Sequence, residues 1–143
     1  MLPEETKRWL AEFDYPEYTN SIRANQDTTR DCLTKLGFGL DSEIADFYLN
    51  YGALSASDWY ELLEPTELLE MNDFAESDLE LPPTFLPLTS QEGGGLSLVD
   101  RSNDYYYDIV FGELDDLKEG RVDPVARTFS EYLEWRRAQN DDG

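Results

Sequence analysis

The chain has 143 residues, 40% of them hydrophobic and 13% aromatic. That is enough apolar surface for one domain with its own core and too much for a disordered acidic tail. Its 32 acids and 11 bases give a formal net charge of −21, which excludes a conventional nucleic-acid binder and argues against docking on anionic lipid.

Pro3 suits a first helical turn, and Trp9, Leu10 and Phe13 then fall on one face, so the spacing predicts a helix over 4–13. Residues 14–26 are polar and contain Pro16, which predicts a loop or a broken helix. Residues 1–26 together read as an N-terminal helical extension. Acids precede any apolar run, so no signal peptide is expected. No apolar stretch reaches 18 residues, and the expectation is a soluble cytoplasmic protein.

Asp27 or Thr28 can cap a helix over 28–37 that buries Cys32, Leu33 and Leu36 and stops at Gly37. Asp41 or Ser42 can cap the next, over 42–51, where Ile44, Phe47, Tyr48 and Tyr51 follow the i, i+3, i+4, i+7 rule before Gly52. The apolar period then shifts toward 2, and the aromatic run at Trp59 predicts a strand over 59–63. Pro65 opens a short helical turn with Leu68, Leu69 and Met71. The acidic residues 72–84, closing in Pro82-Pro83, read as a loop.

Strands are expected at 85–88, 96–100 and 105–111, joined by turns at 91–95 and 102–104. Such links are too short for parallel crossovers. Asp123 as cap and Pro124 at the first position open a closing helix over 124–138. Val125, Ala126, Phe129, Tyr132 and Leu133 form its buried stripe, and Arg136 and Arg137 lie near its C-terminal end. Residues 140–143 read as a frayed tail. The whole is a single α+β domain over 1–143: an antiparallel sheet of about four to six strands, with helices on one face or at its ends.

Charge is unevenly spread. After Lys35 no basic residue occurs until Arg101, and the 65 residues between carry 14 acids. Nine of these, Asp58, Glu61, Glu64, Glu67, Glu70, Asp73, Glu76, Asp78 and Glu80, lie within 23 residues. A field of one sign repels itself and contributes nothing to stability. It reads either as a solubilising face or as a surface matched to a basic partner.

Catalytic and ligand motifs are weak. Histidine is absent and Cys32 is the one cysteine, so His-based triads, His-ligated metals and multi-Cys zinc sites are excluded. Carboxylate pairs are too abundant to single out a glycosidase-like pair. Gly93-Gly94-Gly95 lacks the Lys-Ser/Thr of a phosphate loop and reads as a hairpin turn. Asp100, Ser102 and Asp104 have the 1, 3, 5 spacing of a calcium loop, but Tyr105 stands at position 6 and Phe111 at position 12. No cofactor and no metal is expected. In Tyr105-Tyr106-Tyr107 the central ring faces opposite to its neighbours. Tyr106 is therefore a candidate aromatic anchor at a protein interface, against the alternative of core packing.

Leu36-Gly37 before Leu-Asp-Ser-Glu, Asp46-Phe47-Tyr48-Leu49, Tyr51-Gly52 and the aromatic strand at Trp59 resemble the N-terminal signature of the SMI1/KNR4 (SUKH) superfamily. Phe85-Leu86-Pro87-Leu88, Leu98-Val99-Asp100 and Tyr107 to Phe111 resemble its central strands, and Pro124-Val125-Ala126, Phe129 and Tyr132-Leu133 its closing helix. The likeness runs over roughly 28–136. It departs at Leu40-Asp41-Ser42, where the family often has Pro, and at Ala53, where it often has a second Gly. The resemblance implies an α+β domain without enzymatic activity, of the type whose bacterial members are immunity proteins that neutralise a cognate toxin, commonly a nuclease or deaminase.

The expected function is accordingly non-enzymatic: a monomeric, cytoplasmic immunity protein with a basic toxin domain as partner. The nine acids and Tyr106 are its candidate contact residues. The alternatives are a regulatory or scaffold domain of the same fold, and an acidic mimic of nucleic acid.

Overall fold

Apolar periods punctuated by glycine and proline divide the chain into six α-helices and three strands among the described residues. These are residues 1–13, 20, 24–51, 62–89 and 95–141 of a computed structural model. Helix α1 spans Glu4–Leu10 and tightens into a 3₁₀ turn over Ala11–Phe13. Leu2, Trp9 and Leu10 join the main core, so the described start of the N-terminal extension packs into the body of the domain. Asp46, 6% exposed, accepts from the Leu2 N–H at 2.9 Å and from Asn50 Nδ2 at 2.7 Å, with Lys7 Nζ at 3.9 Å. Trp9 Nε1 donates to Glu134 at 2.6 Å, and the Arg137 guanidinium lies 4.9 Å over the Trp9 ring.

Helix α2, Gln26–Lys35, begins two residues before the expected start and buries Cys32 and Leu33. It ends as glycine dictates. Gly37 takes φ +88°, its N–H reaches Thr34 O, and the Phe38 N–H reaches Leu33 O, both at 3.0 Å. That is a Schellman closure, which satisfies carbonyls the helix leaves open. Helix α3, Glu43–Asn50, is capped by Ser42 Oγ, which accepts from the Ala45 N–H at 3.2 Å. It buries Ile44, Phe47 and Tyr48, while Tyr51 stays half-buried beyond its end.

Residues 65–77 correct the sequence reading. The short turn and the first half of the expected 72–84 loop are one helix, α4, Pro65–Ser77. Pro65 occupies the first turn and Glu67 Oε1 accepts from the Glu64 N–H at 3.1 Å. Leu68 and Ala75, two turns apart, are buried, with Met71 and Asn72 half-buried between them. Leu69 packs against the main core beside this stripe, and acids take most of the exposed side.

Strands β1, Phe85–Pro87, β2, Gly95–Asp100, and β3, Tyr105–Val110, form one antiparallel sheet in the order β1-β2-β3. Among the described residues the sheet has three strands, where four to six were expected. Of the strand expected over 59–63, residues 59–61 lie outside the described residues. Leu62 makes an isolated bridge to Thr89, and the Leu63 N–H donates to Leu88 O at 2.9 Å.

Both sheet faces are covered, where helices were expected on one face or at the ends of the sheet. Leu86, Val99 and Tyr106 are in register and pack with Phe47, Tyr48, Phe129, Tyr132 and Leu133 in the main core. Leu96, Leu98 and Ile109 pack on the opposite side with Ala75, Leu81 and Leu117. Consequently residues 96–99 of the central strand are buried without a break, the pattern of a strand enclosed on both sides.

Leu117 comes from a short helix not expected from sequence, α5, Leu114–Lys118. The closing helix α6 spans Phe129–Asp141, five residues later than expected at its start. Ala126 is held as an edge partner of β3 instead: the Tyr106 N–H donates to Ala126 O at 2.9 Å and the Val125 N–H to Tyr106 O at 2.8 Å. Thr128 Oγ1, not Asp123, does the capping, accepting from the Glu131 N–H at 3.2 Å. Glu131 Oε2 reaches back to the Arg127 N–H at 3.0 Å, and Glu43 Oε1 takes the Ser130 N–H at 2.9 Å. Of the tail expected to fray over 140–143, residues 140 and 141 close this helix and residues 142–143 lie outside the described residues.

Candidate protein-binding surface

The acids of α4 are outside because its few apolar residues are inside. Glu64, Glu67, Glu70, Asp73 and Glu76 recur every third residue from the N-cap onward, and all are exposed. Three residues of helix advance roughly 4.5 Å and turn about 300°, so the five trace an oblique ridge around the solvent side. Glu70 and Asp73 lie opposite Leu68 and Ala75, and Glu67 and Glu76 flank them. Asp78 and Glu80 continue the acidic run beyond the helix, also exposed. Glu80 takes φ +53° where the chain turns toward β1. Asp58 and Glu61 lie outside the described residues.

Among the described residues, none of these seven acids makes an ion pair; the recorded bridges involve Lys7, Lys35, Arg30 and Arg121. Arg101, which ends the base-free stretch, engages neutral groups. Its Nη1 donates to Leu36 O at 2.9 Å, Nη2 to Asn72 Oδ1 at 2.9 Å and to Pro83 O, and Nε to Thr84 O at 3.2 Å. Burial pulls its pKa below the ordinary arginine value. The ridge therefore keeps its full negative field toward solvent.

Tyr106 is not at this surface. It is 0% exposed, its hydroxyl donates to Asp104 at 2.8 Å, and burial drives its phenol well above the ordinary value. Its role as an interface anchor is thereby corrected: only unfolding would present it to a partner. Its neighbours are half-buried on the other sheet face. Tyr105 lies under the Arg127 guanidinium at 5.4 Å, and Tyr107 packs edge-on against Phe85 at 5.9 Å.

The calcium-loop spacing resolves into turn chemistry. Asp100 Oδ1 accepts from both the N–H and the hydroxyl of Ser102, at 3.0 and 2.6 Å, and Asp104 serves Tyr106. Among the described residues, no group of three or more Cys, Asp or Glu is placed to hold a metal. No helix there is long and apolar enough to cross a membrane. In the phosphate-loop candidate, Gly93 and Gly94 lie outside the described residues and Gly95 opens β2.

No protein-family model, no curated protein and no solved structure matches the chain. The site must therefore be read from its own residues. Sequence reasoning used Arg101 only to mark where the base-free stretch ends and missed its place beneath α4. The signal was present: it is the one base between Lys35 and Lys118.

Proposed function

We propose that the protein is a non-enzymatic, acidic binding protein of the SMI1/KNR4 (SUKH) type, an immunity protein that acts in the cytoplasm as a monomer and neutralises a basic toxin domain. The observation that carries this reading is the exposed ridge of α4, with its continuation to Glu80, where seven acids make no ion pair among the described residues. Holding like charges close together destabilises the free protein, and a basic partner removes that cost on binding. A nuclease or deaminase that grips nucleic acid carries a basic groove of the required sign. Long-range attraction of this kind lifts association toward about 10⁸–10⁹ M⁻¹s⁻¹ at low salt.

The test is an activity assay on the C-terminal domain of the secreted protein encoded beside this chain's gene. Added in equal amount, the protein should abolish that domain's nuclease or deaminase activity at low salt and inhibit less as salt rises. Full toxin activity in the presence of excess protein overturns the proposal.

A further inference from the structure

A helix whose exposed side is mostly acid is under pressure to lift away from an acidic body. We propose that Arg101 is the positioning residue of this surface, a latch that keeps α4 seated against its own charge repulsion. Four of the five guanidinium donor positions are occupied. Nη1 holds Leu36 O at the end of α2, Nη2 holds Asn72 Oδ1 in the middle of α4 together with Pro83 O, and Nε holds Thr84 O. The Arg101 N–H also donates to Thr84 O, at 2.8 Å. One side chain thus ties together α2, α4 and the segment that leads from α4 into β1.

Three features suit it to the task. Its hydrogen-bond acceptors are neutral, so it seats α4 without pairing with any acid of the ridge. Leu36 O lies at the C-terminal end of α2, where the helix dipole favours a cation. The planar fork spans several acceptors at once, which a lysine ammonium on a flexible stem does not reproduce.

The functional meaning of the latch rests on the acidic-surface reading, but the latch itself is tested on the free full chain, so the two can fail separately. Native-state hydrogen exchange followed by NMR is the measurement. In Arg101→Met, the amides of residues 72–77 should exchange about ten- to hundredfold faster, while those of β3 and of α6 around Tyr132 change much less. Raising salt to about 0.5 M should restore much of the lost protection, because screening relieves the repulsion the latch opposed. Arg101→Lys should recover only part of it. Equal acceleration in α4, β3 and α6 would make Arg101 an ordinary stabilising residue and overturn the proposal. So would unchanged exchange in α4, insensitivity to salt, or full rescue by lysine. Should Arg101→Met fail to fold, Asn72→Ala removes the α4 acceptor alone; it should accelerate the same amides by a smaller factor, and no acceleration overturns the latch.

Discussion

The rings of Tyr106 and Tyr132 lie stacked in the main core, their centroids 5.2 Å apart and their planes 18° from parallel. One belongs to the outer strand of the sheet and the other to the closing helix, so this contact fastens α6 to β3. Phe129 extends the chain of rings, 5.7 Å from Tyr106 and 5.2 Å from Phe47. Trp135 prolongs it on the other side, 6.3 Å from Tyr132.

Truncating the middle of that chain should be costly. Phe129 is 0% exposed, and Phe129→Ala is expected to lose about 3–5 kcal/mol in urea unfolding. Tyr106→Phe keeps the stacking and removes only the hydrogen bond to Asp104, at a cost of about 1 kcal/mol. A loss under about 1 kcal/mol for Phe129→Ala would remove it from the core.

The start of α6 can be read by its caps. Thr128→Ala should cost about 1 kcal/mol, because the Glu131 N–H loses its acceptor. Asp123→Ala should cost much less, since it lies five residues before the observed cap. The reverse ranking in thermal or urea melts would restore the earlier helix start.

Asp104 gives a pH-dependent signature. Burial pushes its carboxyl above the ordinary 3.8, the Tyr106 hydroxyl pulls it back, and Glu43 adds to the rise. A raised native value means the folded state binds more protons than the unfolded one between 3.8 and that value. This contribution to stability is therefore greatest below 3.8 and is lost as pH rises through the native value. Asp104→Asn avoids that loss, still accepts from Tyr106, and suits the left-handed φ of +62°. Melts from about pH 3 to pH 7 should show the variant gaining on the parent as pH rises. A variant that falls behind instead would mean that the hydrogen bond outweighs burial.

The ridge should act through association rate. Glu67→Gln, Glu70→Gln and Asp73→Asn together remove three charges, and the amide oxygen at 67 still serves the Glu64 N–H. Stopped-flow association with the toxin domain should slow by about tenfold or more at low salt, the loss shrinking as salt rises. The free variant should be as stable as the parent or slightly more so. Unchanged association at low salt would leave the acids as a solubility feature.

The three strands of the sheet were legible within a residue at either end because alternation and turn residues agree there. The main core residues Phe47, Tyr48, Phe129, Tyr132 and Leu133 were legible too, since each recurs at helical spacing. The length of α4 was not. After Leu69 its apolar residues thin to Met71, Phe74 and Ala75 among acids, and with Pro82-Pro83 downstream the stretch resembles a loop. The start of α6 was misread because Asp-Pro is a strong opening signal. Thr128-Phe-Ser-Glu131, a capping box in plain sight, competes with it, and tertiary pairing of Ala126 with Tyr106 decides between them. Tyr106 could not be assigned to inside or outside from alternation alone, because both faces of this sheet are covered. For the candidate surface, the density of acids in a stretch without bases marked the segment, while the Arg101 contacts depend on residues far apart in sequence.

Cys32, 3% exposed on α2, stands four residues before the carbonyl that Arg101 holds. As the sole thiol in the chain, it is shielded from reagents in solution while α2 stays seated. Its rate of labelling is thus a built-in stopwatch for how often that helix parts from the body of the protein, readable by mass spectrometry without introducing any foreign group.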